Sequence, residues 1–310
     1  MLNAKAISSF ALYLLIRAYC NSSMAQTADS TFVSEKEPPK YRLALVSIGL
    51  PSLYAVSMTG LYSLWYSGYP QSGFHFINDN KEWLQMDKCG HLTSSYYIGK
   101  VGYESFRWAG LSEKKAVWYG GLTGLIYLTS VEVFDGLSAE WGYSKGDQLA
   151  NTAGAVLFIG QQLVWKQQIV VMKWSDHGSP YAKYNPEQMG TSIPQRMLKD
   201  YNGQTYWLSA NICSLGLQHT KFPKWINFAV GYGAEGMTGA NFNPTQVNSK
   251  PIPSFERYRQ FYISPDIELG RIPVKSKTLK LVLNALGFLK FPMPALEFNK
   301  KGVQFHPLYF

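Results

Sequence analysis

The sequence predicts a mainly α protein: a small membrane-seated helical bundle with a mixed, loop-rich C-terminal region. Apolar segments of helix length recur between residues 41 and 165. Polar residues recur inside them in pairs, three or four apart, which is the spacing of one helix face. The aromatic fraction is 15%, with 21 Tyr and 9 Trp, and rings with a polar edge favour the membrane–water boundary. A mean hydropathy of −0.13 is too polar for a chain made mostly of spans. Partial, monotopic seating in a membrane is the expectation.

Residues 1–25 read as a secretory signal peptide. Lys5 supplies the charge, Phe10 to Ile16 the apolar run, and Ser23-Met24-Ala25 the small residues before a cut. Arg17-Ala18-Tyr19 ahead of Cys20 departs from the aliphatic and small run of a lipidation site. Residues 26–40 form a polar linker ending in Glu37-Pro38-Pro39-Lys40. A membrane-associated helical domain is expected over 41–175, and a mixed α/loop region over 176–310.

Tyr41 to Tyr66 is apolar and long enough to cross a bilayer. Pro51 and two glycines interrupt it, so a kinked helix, a re-entrant hairpin and a buried core helix are all open. Ser67 to Glu82 reads as loop. Asp87 to Leu111 reads as a helix, and Ser112 as the N-cap of the next. Ala116 to Val133 is apolar apart from Glu132, and its glycines allow close helix approach. Ser144 to Asp147 opens a helix running to about Trp165. Beyond His177 the pattern loosens. Phe261 to Leu269 reads as a strand interrupted by Pro265, and Ser276 to Leu289 as a helix. Gln304 to Phe310 alternates like an outer-membrane barrel strand, but a barrel needs many such strands.

The net charge of +9 suits nucleic acid or anionic lipid. No nucleic-acid motif or dense basic stripe is present, so nucleic acid is set aside and membrane lipid is the expected partner. Cys20, Cys89 and Cys213 are too few for a disulfide scaffold. Cys89 and Cys213 either pair or remain buried thiols.

The chemistry-bearing residues lie between Met86 and Ala155. Asp87 and His91 share a helix face, as do Glu132 and Asp135, and Asp147 and Asn151. Unpaired carboxylates are costly in apolar surroundings, so the pairs should point inward to one shared cluster. Asp87, His91, Glu132, Asp135 and Asp147 are suitable ligands for a divalent metal ion. His91 as a base with Glu132 is the catalytic alternative. The structural alternative is a polar network in which Lys88 neutralises an acid, Asn151 supports it and Asp147 caps its helix. HExxH and Walker A motifs are absent, and no GxGxxG stands on a strand–helix unit. His75, His177, His219 and His306 are isolated in sequence.

Asp87-Lys88-Cys89-Gly90-His91, Ser94-Ser95-Tyr96-Tyr97, Glu132-Val133-Phe134-Asp135, Trp141-Gly142-Tyr143-Ser144-Lys145-Gly146-Asp147 and Ala150-Asn151-Thr152-Ala153-Gly154 follow in order. This run resembles the YfiM-like periplasmic lipoproteins, in the neighbourhood of VanZ-like membrane proteins, in a long Bacteroidota-type form. The resemblance implies a small helical domain and an envelope location. It implies no activity. The expected function is a non-enzymatic subunit or scaffold of an outer-membrane assembly, on the periplasmic side, with membrane lipid and other envelope proteins as partners. An inner-membrane location is the alternative placement. A metal-dependent enzyme acting on lipid or cell-wall precursors is the alternative function.

Overall fold

The computed structural model describes residues 40–215 and 222–310. The expected signal peptide with Cys20, nearly all of the expected linker, and His219 lie outside the described residues. The chain divides into two compact units. One is Met1–Asn78, Ser94–Gln168 and Val274–Ala285; the other is Asp79–Thr93, Ile169–Pro273 and Leu286–Phe310.

The first unit is helical. Helix α1, Lys40–Leu61, runs through Pro51 and passes into a π turn at Tyr62–Tyr66. Among the described residues it is the one helix long and apolar enough to cross a membrane, and 11% of its most apolar window is buried. Helix α2, Met86–Trp108, begins in the other unit and finishes here. Helices α3, Glu113–Gly121, and α4, Thr123–Gly136, divide the apolar run at Leu122. Ser112 stands at the N-cap of α3, without a side-chain cap bond. Helix α5 is Lys145–Trp165. At Gly124 an added Cβ would stand 2.1 Å from the Ser95 carbonyl oxygen, and at Gly120 2.1 Å from the Tyr103 nitrogen. The backbones of α3 and α4 therefore lie directly against α2, closer than any side chain permits.

The second unit is built on a six-stranded antiparallel sheet. Its strands are β1 (Val170–Asp176), β2 (Gln204–Asn211), β3 (Ile226–Glu235), β4 (Tyr258–Ile267), β5 (Met293–Asn299) and β6 (Gly302–Tyr309). They pair in chain order as a meander. The protein is therefore not mainly α, its C-terminal region is not loop-rich, and a membrane-seated helical bundle is not what it forms.

The reason lies in the sheet's faces. One register row holds Lys173, Trp207, Gly231, Tyr262, Glu297 and Gln304. Its neighbours hold Met172, Leu208, Val230, Ile263, Leu296 and Phe305. The polar row is largely buried, while much of the apolar row is exposed. Alternation is present, but with its sense inverted, and Pro265, Pro294 and Pro307 interrupt it. Proline normally argues against a strand interior. Pro265 is tolerated because β4 has already parted from β5, whose ladder with it ends at Ile263.

Trp207, Ala229, Tyr262, Ala295 and Tyr309 form the core on the polar side. A buried ion network lies beside it. Lys173 Nζ is 2.8 Å from Asp266 and 3.4 Å from Glu268, and Lys290 Nζ is 3.6 Å from Asp266. Burial pushes the Lys290 ammonium down to about 8 against the pull of the Asp266 carboxylate. Cys89 and Cys213 are both free thiols.

Candidate functional site

Asp87, Lys88 and His91 occupy the first turns of α2, in the sheet-bearing unit. A left-handed turn aims them. Trp83, Leu84 and Gln85 have φ of 46°, 51° and 71°. That region costs a non-glycine residue roughly 1–2 kcal/mol, so the surroundings must hold it. Trp83 and Leu84 pack with Met86 on Tyr201, Tyr206, Tyr232, Ala234 and Met237. The Trp83 N–H donates to the Ala240 carbonyl at 2.8 Å, and the Tyr232 hydroxyl donates to the Leu84 carbonyl.

The Tyr201 hydroxyl donates to Asp87 Oδ1 at 2.5 Å. His91 Nε2 lies 3.9 Å from Asp87 Oδ2, one helical turn on. Lys88 Nζ donates to Asp79 Oδ1 at 2.9 Å, in a well-shielded pair. Asp79 belongs to the Asn78-Asp79-Asn80 stretch that the sequence marks only as loop. Burial, with the Asp87 carboxylate adding, pushes the Cys89 thiol up to about 11. Cys89 is therefore a protonated thiol at neutral pH.

Glu132, Asp135, Asp147 and Asn151 lie in the helical unit. Glu132 is 1% exposed. Its Oε2 accepts the Ser144 N–H at 3.0 Å, and Ser144 Oγ accepts the Asp147 N–H at 3.0 Å. Ser144 rather than Asp147 thus caps α5. The Ser95 hydroxyl donates to the Asn151 carbonyl at 2.7 Å, tying α2 to α5. Asp135 Oδ1 accepts the Tyr66 hydroxyl at 2.7 Å. Tyr66 packs in turn against Phe134 at a tilt and against Trp141 edge to face, each 5.6 Å between centroids. Glu132, Ser144 and Asp147 thus form one chain of bonds, and Asp135 anchors the tyrosine of the π turn.

Two histidines isolated in sequence come together in the sheet unit. His177 and His306 line a cavity of about 300 Å³ with Glu235, Tyr258, Gln260, Tyr262, Glu297 and Tyr309. His306 Nε2 is 2.8 Å from Glu297 Oε2. Burial pushes the Glu297 carboxyl up, but hydrogen bonds from Asn299, Gln260 and His306 outweigh it and the net shift is down. The period-two spacing of Ala295 and Glu297, and of Gln304 and His306, is the signal that puts these side chains on one face.

Residues 72–159 match the family model described as predicted periplasmic lipoprotein (DUF2279). The match covers most of α2 to α5 and stops short of the sheet. It supports an exported protein of the cell envelope with a periplasmic location. No curated protein and no solved structure matches the chain.

Proposed function

We propose that this protein is a non-enzymatic subunit or scaffold of an outer-membrane assembly, held at the periplasmic side of that membrane. One observation carries the reading. In the helical part of the family-matched segment, Glu132, Asp135, Ser144 and Ser95 are engaged in building the frame. Glu132 holds the Ser144 backbone, Ser144 caps α5, Ser95 holds the Asn151 main-chain carbonyl, and Asp135 holds Tyr66. Helix α1 supplies an exposed apolar segment of membrane-crossing length. The kinship with VanZ-like membrane proteins, read from the motifs of α2, α4 and α5, is part of the same proposal.

Extraction in mild detergent followed by affinity purification tests it. Other outer-membrane or periplasmic proteins should co-purify in fixed ratio. A monodisperse monomer under those conditions overturns it. On a density gradient the chain should travel with outer-membrane porins, and recovery with inner-membrane markers overturns the placement.

A second reading is favoured by the Asp87–His91 pair. A carboxylate and an imidazole one turn apart suit a divalent cation. Within the sheet-bearing unit, Asp87 and His91 are the ligands of choice from the set drawn from the sequence. Such a site would serve a metal-dependent enzyme acting on lipid or cell-wall precursors. Elemental analysis of the purified chain decides: stoichiometric zinc or manganese lost in His91→Ala supports it, and metal-free protein excludes it.

A further inference from the structure

The sheet has the wrong side out for a protein surrounded by water. Its buried face carries Lys173, Asp266 and Glu297. Its other face carries the Leu208, Val230, Ile263, Leu296 and Phe305 row. Alongside runs a second row, Trp174, Tyr206, Tyr232, Phe261, Phe298 and Val303. The segment Trp83–Met86 covers the Tyr206 and Tyr232 end of this face. Over β3 to β6 it is open. Phe261 is 52% exposed, and Val303 and Phe305 are each 64% exposed.

We propose that this open face seats in the hydrocarbon of a lipid leaflet, with the sheet lying on the membrane. A polar interior and an apolar exterior is the patterning of sheets whose outer solvent is lipid. An aliphatic row beside an aromatic row matches the change from acyl chain to headgroup. The rim supplies the matching charge. Arg259 and Lys301 are exposed at one end of the strands, and Lys224 is exposed at the other, just before β3. Lys300 is paired with Glu256. Basic ends on both sides complement anionic headgroups. They disfavour a second copy seated face to face, because its basic ends would meet them. The seat is independent of the scaffold role: a chain without partners would use it equally.

The test reads the face itself, since α1 alone would bring the chain to vesicles. In the full chain, Cys20, Cys89 and Cys213 are replaced by Ser. A single cysteine is then placed by Phe305→Cys or Val230→Cys, or by Gln304→Cys on the opposite face, and labelled with an environment-sensitive fluorophore. Circular dichroism confirms that each variant is folded. On vesicles of phosphatidylethanolamine and phosphatidylglycerol, the labels at 305 and 230 should shift to the blue. They should be quenched by nitroxide on the acyl chains, and the label at 304 should do neither. Three results overturn the proposal. One is a 305 label that stays open to aqueous iodide on vesicle-bound protein. Another is a shift without vesicles as protein concentration rises, which identifies a second copy as the occupant. The third is failure of the chain to bind the vesicles at all.

Discussion

The Glu132 carboxylate, on α4, accepts the main-chain N–H of Ser144 at the start of α5. The bond is buried and bridges the loop that holds Trp141 and Tyr143. Glu132→Ala leaves that N–H without its acceptor in a dry site. The expected loss is about 1–3 kcal/mol of stability, read as a lower urea midpoint. Glu132→Gln keeps an oxygen in place and should lose less. Equal losses in the two variants would show that the acceptor is not what matters.

Asp266 faces two buried ammonium groups, Lys173 and Lys290. Removing the carboxylate they share leaves uncompensated charge in the sheet's core. Asp266→Asn should cost roughly 3–5 kcal/mol in chemical unfolding. Adding Lys290→Met should recover part of it, because one of the stranded charges is then gone.

Glu297 gives the sheet unit an acid-sensitive element. Its folded pKa lies below the ordinary glutamate value, so near that value the unfolded chain holds more protons than the folded one. The group's stabilisation is full above the ordinary value and is lost as pH falls through the folded one. Glu297→Gln should flatten the acid limb of a stability-against-pH curve while leaving its slope near neutrality unchanged. An unchanged acid limb would contradict the assignment.

Gly120 and Gly124 are where α3 and α4 touch the backbone of α2. Alanine raises helix propensity, so an exposed site would gain stability. Here Gly124→Ala and Gly120→Ala should instead destabilise by about 1–3 kcal/mol or more through overpacking. Thermal unfolding gives the sign directly.

The helices were legible in the sequence because their signals are local. Ser144 marked the start of α5, the glycines of α3 and α4 marked a tight crossing, and the Ser276–Leu289 pattern marked the helix at Lys277–Ala285. The pairs at helical spacing were also visible. Their partners were not, because Asp79, Tyr201 and Tyr66 come from other elements. The sheet was missed for a physical reason. Strand reading assumes that the apolar face is the buried one. Here Glu297 and Asp266 face the core while Phe261 and Phe305 face out. Each proline then looked like a break rather than a tolerated bulge or strand end.

The left-handed turn at Trp83–Gln85 sets a limit on how the protein can be cut. Residues 72–159 are what the chain shares with the predicted periplasmic lipoprotein family. Yet Tyr201, Tyr206 and Tyr232, which hold that turn, lie beyond residue 159. A fragment ending at Ile159 loses the packing that offsets three strained residues. Its chain ahead of Met86 should relax to ordinary helical or extended angles, and Asp87 should lose its tyrosine donor. Amide exchange at residues 83–91 should be fast in the fragment and slow in the full chain. The stretch that matches the family model is shorter than the stretch that must fold together.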